Sequence, residues 1–397
     1  MTCWRRRERG SASWCKLLPH ESHNVMNPHH LQRTIALVDD MIQDGLHPGM
    51  QVYVSLDGKP VLDLAVGQAG PERAMKSHTL QCWMSCTKPV TAVALAQLHE
   101  STLLAWDDPV VRFIPEFAAH GKSGITIRHL LTHTGGIRSA DIGQPMASWE
   151  MRIQSICESH PEPDWVPGAR AGYDRYGAWF LLADIVQRLS QQSFPNYVRE
   201  RIFTPMGIEH AWIGMPIGTY EATKLNQSFI VTTSRGQAHP MPEAEHAHLV
   251  QACNPAAGGF GSARDLARFY ETLLNGVQGK DTTLLTADSV HELVDRHRVG
   301  LHDETFLTDM TWGLGKILHP PNPPVAPYPY GFGPHASAST FGHGGSQCAS
   351  SFADPDRRLV VTWIGNGRPG EPRHQQCNWS LNRSIYEDLF DLSDTSS

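Results

Sequence analysis

The sequence predicts an α/β protein whose antiparallel sheet is built from both chain ends and is flanked by helices. Segments with strand character lie at residues 49–67 and again at residues 311–366, near the two ends of the chain. The interval from about residue 107 to residue 250 reads mainly as helices joined by loops rich in Pro and Gly. We therefore expect a mainly helical subdomain inserted into the part of the chain that forms the sheet.

The segment that starts at Leu31 predicts a helix followed by a hairpin. Apolar residues recur at helical spacing from Leu31 to Ile42, and the segment Gly45–Gly49, which contains a proline, ends that helix. Two segments with strand character, the first with apolar residues at alternate positions, then flank Asp57-Gly58, a dipeptide typical of a two-residue hairpin turn. The chain is thus expected to begin with a helix and two paired strands, before a short polar loop.

Two further helices follow from composition and capping. The segment Val90–Leu98 is rich in alanine, which favours a helix. A later helix starts at Ser262, where Asp265 completes an arrangement close to a capping box, and stops at Asn275-Gly276.

The late region returns to strands, in TWGLGKIL, STFGHGGS and SSFADPDRRLVVTWIGN. Within the last of these, Asp354-Pro355-Asp356 predicts a turn between two strands. A final helix is expected near Trp379–Leu392. The Pro-rich segment His319–Pro334 predicts no regular element, and it either lines a cleft or is a plain surface excursion.

These patterns divide the chain into an extension and one domain. Periodic sequence begins only after Met26, so residues 1–25 are expected to be a disordered N-terminal extension, unless Met26 is the natural start. Residues 26–397 are expected to form one domain, with its α/β part at about 26–105 and 255–397 and its helical subdomain at about 106–254.

Composition excludes several classes of function. The chain has 397 residues, is 40% hydrophobic and carries a formal net charge of -7, with arginines clustered only at Arg5–Arg7 and nearby Arg9. No basic face for nucleic acid is indicated. No run of about 18 apolar residues is present, so no membrane span is predicted.

The start of the chain and its cysteines indicate a reducing compartment. The N-terminal residues lack the apolar stretch of a secretory signal. The eight cysteines are scattered and include no Cys-x-x-Cys pair. We therefore expect reduced thiols and a cytoplasmic protein.

Two stretches place a lysine three residues after a serine, at Ser13–Lys16 and at Ser85–Lys88. Ser85 precedes a helix-prone segment, so its N–H belongs to the unpaired first turn and Lys88 lies one turn away on the same face. Ser13 has no following helix and no apolar context. Ser85 is therefore the candidate nucleophile, and Lys88 is its base if burial lowers the pKa of the amine. A capping serine with a surface lysine is the alternative.

From about residue 30 to the C-terminus, the chain resembles the serine β-lactamase-like superfamily, on the side of class C β-lactamases, D-alanyl-D-alanine peptidases and family VIII carboxylesterases. The resemblance rests on segments that occur in the family's order: SCTKPVTAVALAQL, LAWDDPVVRFIPEF, ITIRHLLTHTGGI, VPGARAGYDRYGAWFLLADIV, NPAAGGFGSARDLARF and FGHGGSQCASSFADP. It implies the β-lactamase/transpeptidase-like fold and an acyl-enzyme mechanism.

The resemblance also implies roles for residues outside the first motif. Tyr173 stands where the family has the tyrosine of Tyr-x-Asn, and it would pass a proton between Ser85 and the leaving group; Tyr176 is the runner-up. Arg175 replaces the family's asparagine, which puts β-lactam recognition in doubt. It either binds a substrate carboxylate or points into solvent.

The third family motif falls on a glycine-rich strand. His343-Gly344-Gly345 replaces the family's Lys-Thr-Gly, and the glycines allow close approach of a substrate. The resemblance implies that His343 donates a hydrogen bond to the tyrosine or the substrate. It also implies that the N–H of Ser346 joins that of Ser85 in an oxyanion hole.

Other patterns in the sequence are incomplete as metal-binding or catalytic motifs. His129 and His133 are spaced as on a zinc-binding helix, but a third ligand and an adjacent glutamate base are missing. Cys86 lacks a paired histidine, and Gly-x-Ser-x-Gly does not occur. We therefore predict neither a metal nor a cofactor.

The function predicted from sequence is a serine hydrolase that forms an acyl-enzyme, and a carboxylesterase on small or medium esters is favoured. The substrate is a small-molecule ester or amide; the sequence specifies no protein partner. A β-lactamase, a D-amino-acid peptidase and an acyltransferase remain alternatives within this chemistry. From a different class, a catalytically inactive binding protein on the same fold also remains.

Overall fold

The computed structural model describes residues 31–143, 147–234, 237–322, 324–390 and 392. The predicted extension at residues 1–25 and the second Ser-x-x-Lys sequence at Ser13 lie outside the described residues. The fold is α/β, as predicted, and the chain order of the helices is as follows: α1 Gln32–Gln43, α2 Lys88–Glu100, α3 Ile127–Leu131, α4 Trp149–Glu158, α5 Gly177–Ser190, α6 Phe194–Val198, α7 Ile217–Thr223, α8 Glu243–Gln251, α9 Ala263–Val277, α10 Ala287–Val294 and α11 Glu371–Phe390.

An antiparallel sheet of eight strands forms the centre of the described structure. Its spatial order is β11 Thr311–Trp312, β12 Ile317–Leu318, β13 Phe341–Gly345, β14 Ala349–Asp354, β15 Leu359–Gly365, β1 Gly49–Leu56, β2 Lys59–Gly70 and β3 Arg73–Ala74. The strand β15 pairs with β1, so the late part of the chain joins the early part in one sheet. This confirms the prediction that both chain ends build the sheet.

Smaller sheets surround the central one. They are formed by β4 Gln81–Cys82, β8 Gly259–Gly261 and β5 Trp212–Ile213; by β16 Gly367–Arg368, β6 Val231–Ser234 and β7 Gln237–Pro240; and by the hairpin of β9 His302–Asp303 and β10 Thr308–Asp309. Residues 106–254 therefore contain short strands besides the helices α3 to α8. The boundaries of the inserted subdomain stay a prediction.

Helices cover both faces of the central sheet. On one face, alternate residues of β1 such as Met50 and Val52 pack with α1 and α11. On the other face, Tyr53 and Ile364 pack with α9 and with the buried helices α2 and α5. The helix α2 carries alanines and valines on nearly every side and is buried along most of its length. Its start, where the candidate nucleophile lies, is thereby held between the sheet and the helical region.

Local predictions were largely confirmed. The hairpin turns at Asp57-Gly58, and Ser262 caps α9 in a capping box with Asp265. The final helix begins at Glu371, eight residues before the predicted Trp379. The prediction placed the start too late because buried polar residues in the first turns of the helix interrupt the apolar periodicity. No helix in the described residues has both the length and the apolar character needed to cross a membrane.

Candidate active site

The candidate nucleophile lies in a tight turn at the entrance to α2. Ser85 belongs to the 3₁₀ segment Met84–Thr87, not to the α-helix itself. Thr87 Oγ1 donates to the Met84 carbonyl at 2.6 Å and accepts from Gly259 N–H at 2.9 Å. Met84 has a φ of 49°, a left-handed conformation that is costly for a residue with a side chain. Strain of this kind is concentrated at functional sites, where the surrounding structure enforces it.

Lys88 is fully buried beside the Ser85 hydroxyl. Its Nζ lies 3.2 Å from Ser85 Oγ, 2.9 Å from the Arg175 carbonyl oxygen and 3.1 Å from the Ala256 carbonyl oxygen. The two carbonyls can only accept hydrogen bonds. In the neutral amine they take both N–H groups, and the nitrogen lone pair is left directed at the Ser85 hydroxyl.

Burial makes the neutral amine accessible near neutral pH. Desolvation lowers the pKa of Lys88 to about 7, although the charge of Asp174 acts in the opposite direction. The burial on which the proposed role of this lysine depends is present, and such an amine is suited to act as a base near pH 7.

Tyr173 presents its hydroxyl to the same serine. The side chain is buried, and a hydrogen bond between Tyr173 and Ser85 partly offsets the effect of burial, which raises the pKa of the phenol. The ring lies with its centroid 5.0 Å from Lys88 Nζ. Because the phenol keeps its proton at neutral pH, it is able to donate that proton to an oxygen atom bound near Ser85.

Asp174, Arg175 and Tyr176, which follow Tyr173, differ in their burial and contacts. Asp174 is buried and accepts from Tyr176 N–H at 2.8 Å and Ala178 N–H at 3.2 Å, so its carboxylate caps the start of α5. The side chain of Arg175 is exposed, while its carbonyl oxygen holds Lys88. Tyr176 is 38% exposed. The geometry therefore brings Tyr173, not Tyr176, to the nucleophile.

His343 is a neutral, buried imidazole on β13. Burial, and next the charge of Lys88, lower its pKa to about 3. Its Nδ1 lies 2.7 Å from the Gly344 carbonyl oxygen, so Nδ1 carries the hydrogen and Nε2 keeps a lone pair. The resemblance implied that His343 donates a hydrogen bond to the tyrosine or the substrate, for which only Nε2 is free. In this tautomer that nitrogen accepts instead.

The end of β13 lies against the nucleophile turn. A Cβ atom on Gly345 would stand 2.5 Å from the Trp83 carbonyl oxygen and 3.1 Å from Met84 Cβ, so only glycine fits. Cys86 Sγ donates to the His343 carbonyl at 3.1 Å and fastens the two segments together. This close approach places the backbone around Ser85 beside the backbone that leads into Ser346.

The Pro-rich segment reaches the same strand. A Cβ on Gly344 would stand 2.1 Å from the ring of Tyr330, and Tyr330 also contacts Phe306 with ring centroids 5.7 Å apart. Within the described residues, positions 319–334 contain no helix or strand, as predicted. Of the two alternatives for this segment, the contact of Tyr330 with β13 favours a position beside the candidate site over a plain surface excursion.

Sequence reasoning missed several residues that surround Tyr173. His133 was considered only as a zinc ligand on a helix with His129, but α3 ends at Leu131 and His133 follows it with a φ of 58°. The His133 and Tyr173 rings are 4.6 Å apart, and His133 Nδ1 accepts from Asp174 N–H at 2.9 Å. Phe306 lies on the other side, with ring centroids 4.8 Å apart. The contacts join distant parts of the chain, and no local pattern signals them.

Comparison with known proteins identifies the family of this chain. The Beta-lactamase family model matches residues 36–383. Esterase EstB from Burkholderia gladioli is 36% identical over 366 residues, covering 84% of this chain and 90% of EstB. Esterase/beta-lactamase LipL from Mycobacterium tuberculosis is 24% identical over 353 residues, covering 81% of this chain and 80% of LipL.

A solved structure shows the same fold. The crystal structure of a family VIII carboxylesterase superposes with a TM-score of 0.75 at 24% identity, covering 93% of this chain and all of that chain (100%). The chain belongs to the Beta-lactamase family. That family is one of serine hydrolases whose named members include esterases, β-lactamases and peptidases, as the sequence resemblance implied.

Proposed function

We propose that this protein is a carboxylesterase that works through an acyl-enzyme on Ser85. One observation carries the proposal: the buried amine of Lys88 contacts Ser85 Oγ while two backbone carbonyls fix its remaining hydrogens. A capping serine with a surface lysine would need neither burial nor these carbonyls. The same arrangement weighs against an inactive binding protein, which would gain nothing from a desolvated amine.

The acylation step uses the neutral amine as a base. Ser85 Oγ attacks the ester carbonyl carbon, and its proton passes to Lys88 Nζ. The carbonyl oxygen becomes an oxyanion, for which the N–H groups of Ser85 and Ser346 are the proposed donors. The tetrahedral adduct then collapses, the bond to the alcohol oxygen breaks, and Ser85 is left acylated.

Tyr173 completes the proton transfer. The departing alkoxide takes the hydroxyl proton of Tyr173, which is replaced by the proton that Lys88 received from Ser85. In deacylation a water molecule attacks the acyl carbon while Lys88 accepts its proton, and Ser85 recovers its hydrogen as the carboxylic acid leaves. An alcohol in place of water would give acyl transfer by the same steps.

Two features support an ester over a β-lactam as the substrate. His343 is neutral, so the third motif supplies no cation for the carboxylate that β-lactams carry. Arg175 occupies the position of the family's asparagine with an exposed side chain, so no amide group stands there to contact a lactam. The 36% identity to an esterase over most of both chains points the same way.

Hydrolysis of a short nitrophenyl ester and labelling by a fluorophosphonate probe test the proposal together. Wild-type protein is expected to turn over the ester and to carry one adduct, on Ser85. Ser85→Ala should lose both, while the control Ser13→Ala should lose neither. Folded wild-type protein with no turnover and no adduct would refute the enzyme. Cleavage of nitrocefin far faster than short esters would refute the esterase assignment alone.

A further inference from the structure

Tyr173 lies where regular structure does not hold the backbone. Residues 172–174 form neither helix nor strand, and α5 begins only at Gly177. The proposed mechanism nevertheless needs the Tyr173 hydroxyl within hydrogen-bonding distance of Ser85. Something outside this segment must therefore fix its position.

The hairpin of β9 and β10 holds the Tyr173 backbone from both sides. Asp303 Oδ1 accepts from Tyr173 N–H at 3.1 Å and also from Thr305 N–H at 2.9 Å and Phe306 N–H at 3.1 Å. Thr305 Oγ1 donates to the Tyr173 carbonyl oxygen at 3.2 Å. The amide and the carbonyl of one residue are thus both bound by side chains from a single short hairpin.

Arg298 ties this hairpin to the central sheet. Its guanidinium donates to Asp303 Oδ2 at 2.8 Å and to the Thr132 carbonyl oxygen at 3.0 Å. Its backbone exchanges two hydrogen bonds of 3.0 Å with Trp312 on β11. The sheet that carries His343 is thereby connected through Arg298 and Asp303 to the backbone of Tyr173.

The ion pair of Arg298 and Asp303 is almost completely buried. The side chains of Arg298 and Asp303 are 1% and 0% exposed. Apolar residues often replace such a pair without loss of stability, because desolvation of two charges offsets their attraction. Apolar residues cannot, however, supply directed hydrogen bonds. The Asp303 carboxylate accepts four of them, from the backbone N–H groups of Tyr173, Thr305 and Phe306 and from the Arg298 guanidinium.

We infer that Arg298, Asp303 and Thr305 are positioning residues that hold the Tyr173 hydroxyl at Ser85. The inference rests on the proposed function, since it assigns a task to the tyrosine of that mechanism. These residues do not contact the reacting atoms; they act through the backbone of Tyr173. Displacement of a catalytic group by about 1 Å is enough to lower a rate about 100-fold.

Two substitutions at Thr305, of which only Thr305→Ser keeps the hydroxyl, provide the first test. Thr305 is half-buried, so its variants are expected to fold. Thr305→Val removes the hydroxyl that binds the Tyr173 carbonyl and should lower kcat for a short ester about 10-fold or more, with KM nearly unchanged. Thr305→Ser keeps the hydroxyl and should restore kcat. Equal kcat in the Val and Ser variants would overturn the inference.

Asp303→Asn tests the buried pair, with Asp63→Asn as its matched control. Asp63 is also buried and also paired with an arginine, Arg264, but it lies on β2, four strands away from β13. Both variants remove the charge of a buried carboxylate that pairs with an arginine, although Arg264 is 45% exposed whereas Arg298 is 1% exposed. Only Asp303→Asn should lower kcat in molecules that remain folded, and an equal loss in both would assign the effect to stability.

A double-mutant cycle separates positioning from general loosening of the fold. In a Tyr173→Phe background, Thr305→Val should cause no further loss of kcat, because no hydroxyl remains to be positioned. Additive losses would overturn the inference. Full activity of Tyr173→Phe would remove the tyrosine from the mechanism and the inference with it. Unchanged ester hydrolysis in Ser85→Ala would instead refute the proposed function itself.

Discussion

The amine nitrogen of Lys88 lies 3.2 Å from the hydroxyl oxygen of Ser85, in a site where Lys88 is completely buried. The carbonyls of Arg175 and Ala256 hold the amine from its other sides. The proposed base is therefore oriented before a substrate arrives, and its role requires the neutral form of the amine, which can accept the serine proton.

The pH dependence of acylation should report the protonation of Lys88. The pKa of this amine is lowered to about 7. Because the neutral form is the base, kcat/KM should rise as pH increases through about 7 and should fall below it. The measurement is kcat/KM for a nitrophenyl ester from pH 5 to pH 9. An acid limb far from neutrality would contradict this assignment.

Asp174 should influence the pH at which kcat/KM falls on the acid side of the profile. Its negative charge raises the pKa of Lys88, so Asp174→Asn is expected to move the acid limb to lower pH. Asparagine retains an oxygen that can cap α5. Asp184→Asn is the control, since Asp184 is a buried carboxylate later in the same helix. The prediction fails if both variants move the limb equally.

The two neighbouring tyrosines should respond differently to loss of the hydroxyl. Tyr173→Phe is expected to lower kcat by about 100- to 10,000-fold, the usual contribution of a positioned proton donor. Tyr176→Phe should change kcat little, because Tyr176 is 38% exposed. Steady-state kinetics of both variants decide between them. A larger loss in Tyr176→Phe would restore the runner-up from the sequence.

Gly345→Ala should disable the site while leaving most of the fold intact. The added Cβ would stand 2.5 Å from the Trp83 carbonyl, a backbone atom next to the nucleophile turn, so the turn must shift. We expect about a 100-fold loss of kcat, from misplacement of the serine and the oxyanion donors. Gly218→Ala on α7 is the control, since its Cβ would meet nothing within 4 Å. Comparable losses in both would contradict the close-approach argument.

Stability should fall in mild acid because several imidazoles are buried in the neutral form. Their pKa values are lowered from 6.5 to about 4 at His47, His246 and His319, and to about 3 at His343 and His374. Below pH 6.5 the unfolded chain binds protons that the folded protein does not. The free energy of unfolding therefore decreases as pH falls, by about 1.4 kcal/mol per pH unit for each imidazole.

The opposite contribution of one carboxyl does not reverse this trend. Burial raises the pKa of Asp174 from 3.8 to about 6, so that group alone favours the folded state as pH falls through that window. Urea unfolding at pH 7, 6 and 5 measures the balance. His319→Gln should flatten the slope, whereas His291→Gln, at an exposed position, should leave it unchanged. Stability that stays constant from pH 7 to pH 5 would contradict the prediction.

Local sequence was sufficient for the parts of the fold that are themselves local. The turn at Asp57-Gly58 and the capping box of Ser262 and Asp265 depend on residues within a few positions of one another, and both were predicted. The start of α11 was not, because the polar residues of its first turns are buried against the sheet and break the apolar pattern. The assignment to a cytoplasmic compartment stays a prediction.

Spacing and order within the chain were sufficient to predict the Ser85–Lys88 motif, the tyrosine to test and the family. Three features required the folded structure: Lys88 is desolvated between two carbonyls, His343 presents a lone pair instead of a hydrogen, and Asp303 accepts a hydrogen bond from the Tyr173 backbone. The physical reason is that burial, tautomer and backbone position depend on atoms from distant segments. Asp303 and Tyr173 are 130 residues apart in the chain, and no periodicity relates them.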